Sequence, residues 1–213
     1  MSMNEPETAL VDLRFSVQGD ALPLDYGDAL ASALRTVFPW FADEPDLGVH
    51  PLGGLSPAAG AWYLSGRTRL TLRLPRQRLD EARRLAGMSL DVGEHVLRIG
   101  TATERELAHA SVVYASFVTF GVEADGGVID ESLFFTHCRQ ALAEMKLSPR
   151  LVCGKAKRAR VATGMLSGFS LMVADLDVAG TLLLQQRGLG QARQQGCGVF
   201  VPHKSMAPVE TLE

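Results

Sequence analysis

The chain lacks the paired cysteines of a disulfide scaffold. Its three cysteines, Cys138, Cys153 and Cys197, show no C-x-x-C and no paired spacing. They read as reduced, structural thiols, and a cytoplasmic location is expected. No apolar run approaches the ~18 residues of a membrane span, so no membrane partner is expected. The opening MSMNEPET is polar and acidic, and no secretory signal is expected from it. Five histidines (His50, His95, His109, His137 and His203) are scattered, without an H-x-x-x-H or a Cys/His cluster. The expectation is no metal and no cofactor. A net charge of −3 denies the chain a global basic field, so any nucleic acid must be met by local patches. Aromatics at 7% are too scarce for a sheet that stacks single-stranded bases.

What is present is ordinary globular material, 46% hydrophobic and 21% charged over 213 residues, enough for one large domain or two smaller ones. Residues 8–19 alternate as a strand. A helix follows, with Asp25 as its N-cap and Leu30, Leu34, Val37 and Phe38 at helical spacing up to Pro39. Residues 67–74 alternate cleanly: Arg67, Arg69, Thr71 and Arg73 on one face, Thr68, Leu70, Leu72 and Leu74 on the other. A helix over 76–87 ended by Gly87 and a hairpin turning at Val92-Gly93 complete the first half. The second half repeats the order. It has a strand at 111–121 and a helix at 130–146 started by Asp130. Two strands follow across 150–176, then a helix at 177–188 capped by Asp177 and a strand at 197–202. The expected fold is therefore α+β, a tandem of ferredoxin-like βαββαβ modules spanning 1–105 and 106–213.

Between the last helix and the last strand lies RGLGQARQQGCG, in which Gly188, Gly190, Gly196 and Gly198 make a G-x-G-x5-G-x-G loop. It is no dinucleotide fingerprint, because Arg193 stands where a third glycine is needed and the loop follows a helix instead of opening one. It lacks the Gly-Lys-Ser/Thr of a P-loop. Glycines let a backbone approach a phosphate closely, and Arg187 and Arg193 put charge beside it.

This loop, in a tandem ferredoxin-like setting, resembles that of the CRISPR-associated repeat-processing endoribonucleases of the RAMP superfamily. DLRFSVQGDALPLDYGDAL, LGVHPLGG and QQGCGVFVP, in that order, extend the resemblance to the Myxan-type members over roughly residues 11 to 203. The resemblance implies a protein that binds the stem-loop of the CRISPR repeat and cuts at its 3′ base without a metal. The ribose 2′-OH would attack the adjacent phosphate, leaving a 2′,3′-cyclic phosphate and a 5′-OH. It further implies retention of the guide RNA as a subunit of an effector complex.

By the same resemblance His50, in GVHPLGG, matches the catalytic histidine. Tyr26, early in the first helix, stands where several relatives carry a histidine; a phenol of pKa near ~10 is a poor base at neutral pH. That departure leaves two readings open, a slow endoribonuclease and a non-catalytic subunit that caps the guide stem-loop. Two basic clusters are expected to meet RNA phosphates. The first is Arg67, Arg69, Arg73 and Arg76, followed by Arg78, Arg83 and Arg84. The second is Lys155, Lys157, Arg158 and Arg160. No acidic residue falls between 66 and 79 or between 145 and 174, and a stem read through its backbone fits clusters without interleaved aromatics. His137 is expected in a core or interface. The glycine loop is expected to hold the second module's helix, strand and RNA contacts in register.

Overall fold

The computed structural model describes residues 10–123 and 130–203; MSMNEPET and the first two residues of the 8–19 strand lie outside them. In the first half, β1 (Leu10–Gln18) leads through a short β2 (Ala21–Pro23) into α1 (Tyr26–Val37). Edge strand β3 (Gly48–Val49) and two short strands, β4 (Ser56–Ala58) and β5 (Ala61–Tyr63), precede β6 (Arg69–Pro75). Helix α2 (Leu79–Arg83) follows, and the hairpin β7 (Ser89–Val92) and β8 (His95–Glu106) closes the half. The main sheet has the order β3-β6-β1-β8-β7, with every pairing antiparallel. Stripped of β7, this is the ferredoxin-like order, with β1 and β6 central. Alternation places Val11, Leu13, Phe15, Leu70, Leu72 and Leu74 on the helix side, in one core with Leu30, Leu34 and Phe41.

The second half runs β9 (Val112–Glu123), α3 (Glu131–Glu144), β10 (Arg150–Val161), β11 (Gly164–Ala174), α4 (Val178–Arg187) and β12 (Val201–Pro202). Its sheet order, β10-β11-β9-β12, is the same topology. Its own core gathers Val113, Val118, Phe134, Cys138, Leu142, Leu171, Leu184 and Phe200.

Local expectations fare unequally. Asp130 and Asp177 are true N-caps, their carboxylates accepting from the backbone N–H of Ser132 and Gly180, each at 2.7 Å. Asp25 makes no capping bond. The helix expected over 76–87 is a 3-10 turn at Arg76–Arg78 and only five residues of α-helix. Gly87, at φ +86°, ends the turns that follow. The last strand is Val201–Pro202 alone. Residues 61–75 break in two, Ala61–Tyr63 joining a separate small sheet of order β2-β5-β4. Trp62 ties that sheet to the start of α1 by donating its indole N–H to the carbonyl of Leu24 at 3.1 Å.

The two halves are joined through the glycine loop. Its middle is a 3-10 turn, Arg193–Gln195, lodged against α1 and β3. The Gln194 amide donates to the carbonyl of Phe41 at 2.7 Å. Gly27 of α1 meets the loop so closely that a Cβ there would lie 2.5 Å from the carbonyl oxygen of Gln195. A second tie is the backbone N–H of Ala162, donating to Asp28 at 3.0 Å.

Candidate active site

His50 follows β3 and continues its edge pairing, its backbone N–H donating to the carbonyl of Thr71 at 2.9 Å. This places the ring on the face of the first sheet opposite the helices, where alternation also puts Asp12, Arg14, Thr71 and Arg73. His50 Nε2 lies 3.1 Å from Asp12 Oδ1. An ionised carboxylate only accepts, so Nε2 carries the proton and Nδ1 holds the lone pair of the neutral ring. Burial pushes the His50 pKa down; the Asp12 hydrogen bond opposes this, and the charges of Arg73 and Arg193 reinforce it. Burial alone would raise the Asp12 pKa, but hydrogen bonds from His50 and Arg73, with their charges, hold it well below the usual carboxylate range. The result is a neutral imidazole at pH 7, clamped at one nitrogen.

Arg73 corrects the sequence reading. It belongs to the predicted face with Arg69, but it is fully buried. Its Nε and one terminal nitrogen donate to the two oxygens of Asp12, at 2.8 and 3.0 Å. The other donates to the backbone carbonyls of Gln185 and Phe200, at 2.9 and 2.7 Å. Strand alternation gives the face correctly, and the second module covers that face at this position. Arg76 is also committed, to Glu104 and Glu106. Arg83 bonds Glu104, and Arg78 bonds Glu44 and Glu81 while lying over the Trp40 ring. The local absence of acids was real, but β8 supplies two from across the sheet. Arg67 is exposed and precedes β6. Arg69 is half-buried, one terminal nitrogen donating to the carbonyls of Gly66 and Thr68 at 2.8 and 2.7 Å.

The reading of the sequence missed Arg14 and Arg105. Register sets Arg14 opposite Thr71 and Thr103, Arg69 opposite Ser16 and Arg105 opposite Asp12. Arg69 and Arg105 are thus diagonal neighbours of Arg14, on the same face. Burial, then repulsion from Arg105 and Arg69, lowers the Arg14 pKa. No ion pair within the described residues neutralises Arg14 or Arg105. Arg14 stands on the polar face of the first strand, but only the register brings Arg69 and Arg105 beside it.

On the other side of segment 50–55 a cleft of about 670 Å³ opens between the modules. Tyr26, Gly27, Leu52–Leu55 and Trp62 line it from the first, and Lys157, Arg158, Arg160, Phe117, Gln195 and Gly196 from the second. The phenol oxygen of Tyr26 accepts from the backbone N–H of Leu52 at 2.9 Å. Burial pushes its pKa up to about 12, so it is a neutral donor at pH 7 and no base. Lys155, Lys157, Arg158 and Arg160 are all exposed on β10, in the expected hairpin with β11. Tyr26 and His50 therefore sit on opposite faces of the first sheet, and no hydrogen bond joins them.

Arg187 is exposed at the last turn of α4, its charge favourable against the helix dipole. Arg193 is turned inward beside Gly48 and Gly188, with Nε and one terminal nitrogen sealed and unpartnered among the described residues. Burial, then repulsion from Arg73, lowers its pKa to about 10. His137 is half-buried, its ring 5.3 Å from that of Phe120.

The four loop glycines all have positive φ, yet they differ in the space around them. A Cβ on Gly190 would lie 2.1 Å from the carbonyl oxygen of Thr119, whereas the nearest atom to one on Gly196 is 3.7 Å away. Gly196→Ala is expected to cost only left-handed strain, about 1–2 kcal/mol. Gly190→Ala must also displace a strand carbonyl. In thermal unfolding, the first should lower Tm by about 2–8 °C and the second by clearly more; equal losses would contradict the packing described.

Among the described residues no group of three His, Cys, Asp or Glu could hold a metal ion. No helix there is long and apolar enough to cross a membrane.

Comparison with known proteins agrees with the architecture. The family model described as Cas6 Crispr matches residues 11–205. The CRISPR-associated endonuclease Cas6 of Myxococcus xanthus (strain DK1622) is 30% identical over 201 residues, covering 94% of this chain and 85% of that one. Among solved structures, a CRISPR-associated protein Cas6 superposes with a TM-score of 0.65 at 13% identity, over 92% of this chain and 100% of that one. Another, described as a RAMP protein binding different RNA substrates, gives 0.66 at 13% identity over 91% and 100%. The structural likenesses speak to fold, and the sequence matches to kinship: this chain belongs to the Cas6 family.

Proposed function

We propose that this protein is a metal-independent endoribonuclease that cleaves CRISPR repeat RNA, with His50 as general base. The observation that carries the reading is the Asp12-held imidazole. It is neutral at pH 7, has Nε2 occupied, and has no hydrogen bond to Nδ1 among the described residues. Nδ1 takes the proton of the ribose 2′-OH, whose oxygen attacks the adjacent phosphorus. The bond to the 5′-oxygen breaks, giving a 2′,3′-cyclic phosphate and, after protonation, a 5′-OH. Tyr26, with its oxygen already accepting from Leu52, has its own O–H to donate to a phosphate oxygen in the cleft.

The RNA path joins two basic surfaces. The cleft with Lys157, Arg158 and Arg160 grips the backbone of the stem-loop. Around edge strand β3 lies the open face with Arg14, Arg69 and Arg105, and His50 stands where the two meet. Retention of the product follows from a grip that does not depend on the cut. Exchanging Lys157, Arg158 and Arg160 together for glutamine is expected to weaken binding of the repeat stem-loop. It should also flatten log Kd against log salt by about 2–3, a little under one per contact. An unchanged slope would take the hairpin out of the interface. Arg76→Gln, which breaks only internal ion pairs, should leave the slope as it is.

The deciding assay incubates the repeat RNA with wild-type protein and with His50→Ala, both in EDTA. Cleavage that survives EDTA and disappears in the variant supports the enzyme. Tight binding without cleavage by the wild type would leave only the capping subunit.

A further inference from the structure

The hydrogen bonds around His50 do not stop at Asp12. Asp12 Oδ1 meets both His50 Nε2 and Arg73 Nε, at 3.1 and 2.8 Å, and Oδ2 meets the Arg73 terminal nitrogen at 3.0 Å. The far side of the same guanidinium is filled by the carbonyls of Gln185 and Phe200, at 2.9 and 2.7 Å. Those acceptors belong to the last turn of α4 and to the segment just after the glycine loop. A guanidinium is a rigid planar fork, so fixing one edge fixes the direction of the other. The line of contact therefore runs from the second module's backbone through Arg73 and Asp12 to the imidazole of the first.

We propose that Asp12 is the positioning residue for His50, and that Arg73 makes this positioning conditional on the seating of the second module. The inference rests on His50 acting as the base, and its test is chosen to separate the two. With the modules seated, Asp12 is oriented to accept from Nε2–H, and the basic lone pair is left on Nδ1. With Gln185 and Phe200 withdrawn, the inner edge of Arg73 loses its acceptors, and the carboxylate and the ring are free to turn. Three charged groups bear on the ring: Asp12 from β1, Arg73 from β6 and Arg193 from the loop. Asp12 favours the imidazolium and the two arginines oppose it, so the carboxylate's use here is to choose the tautomer.

Nitrogen-detected NMR of the histidine rings in the RNA-free protein, with His50 assigned from His50→Gln, reads the tautomer directly. The wild type is expected to show the Nε2–H form at pH 7. Asp12→Ala removes the acceptor of Nε2–H, so the ring should lose its preference and show mixed tautomers. Single-turnover cleavage should then slow by about 100-fold, as expected for a group displaced by about 1 Å, with RNA affinity unchanged. Arg73→Lys supplies one point charge in place of the fork. It should give mixed tautomers and a displaced pH–rate profile in a protein whose circular dichroism remains native. Wild-type protein in the Nδ1–H form would overturn the proposal without any variant needing to fold. So would Asp12→Ala protein that keeps the Nε2–H form alone. If the tautomer changed as expected while both proteins cut equally fast, the positioning would stand and the catalytic role of His50 would fall.

Discussion

His50→Ala protein is expected to cut its repeat RNA about 10²- to 10⁴-fold more slowly than wild type, the usual contribution of a placed acid–base group. Affinity for the uncut RNA should hardly change, because only 12% of the His50 side chain is accessible and it offers little contact area. The pH dependence has a definite sign. A general base works unprotonated, and burial, opposed by Asp12 but aided by Arg73 and Arg193, lowers the pKa of His50. The rate should therefore rise with pH only below the ordinary histidine value of ~6.5 and be level at neutrality. Tyr26, raised to about 12, brings no falling limb in the working range. A rate that fell tenfold between pH 7 and 9 would mean that an acid titrating in that range is essential. Wild-type speed in the alanine variant would remove this histidine from the reaction.

Arg73→Ala is expected to lower the unfolding free energy by about 3–5 kcal/mol, the range for removing one partner of a buried ion pair. The guanidinium is completely buried, and its loss leaves the Asp12 carboxylate with His50 as its remaining donor and takes a donor from two interior carbonyls. For a chain of this size each kcal/mol moves Tm by ~2–4 °C, so a fall of about 6–20 °C should appear in thermal unfolding. Arg67→Ala, from the same predicted patch but exposed, should stay within about 0.5 kcal/mol of wild type. The linkage to pH can be read in the same experiment. The depressed pKa of Asp12 means that its contribution is present above the unfolded carboxylate value of ~4 and is lost as pH falls below it. In Arg73→Ala that part of the acid sensitivity should shrink. Equal Tm values for the Arg67 and Arg73 variants would show that the buried network contributes nothing to stability.

The fold was legible because its signals are local. Alternation in 10–18 and 69–75, and the caps at Asp130 and Asp177, depend on neighbours a few residues away. Asp25 shows the limit: it sits at the right place before α1, but its backbone, at φ −99° and ψ 44°, is not the extended conformation of a capping residue. The candidate site was legible only in part. Periodicity says which face a side chain takes but not what covers that face, so Arg73 read as a phosphate ligand when it is an interior strut. Nor does local sequence show partners brought in from afar. Asp12 meets a histidine 38 positions away, and Arg76 meets carboxylates 28 and 30 positions away. The hairpin arginines and lysines lie exposed where alternation and turn residues put them, because they touch little else. Arg14 was passed over because a lone arginine on a polar strand face has no distinguishing feature until the register of β6 and β8 is known.

The placement of the glycine loop also bears on how the molecule comes into being. His50 and Asp12 are made well before Gln185 and Phe200, whose carbonyls complete their surroundings. A nascent chain can fold its first module early, as successive domains do during synthesis, and still hold the candidate site unfinished. Only after residue 200 has left the ribosome can the loop lodge against α1 and the Arg73 fork find its second pair of acceptors. A chain still short of Phe200 therefore carries the histidine without its full setting.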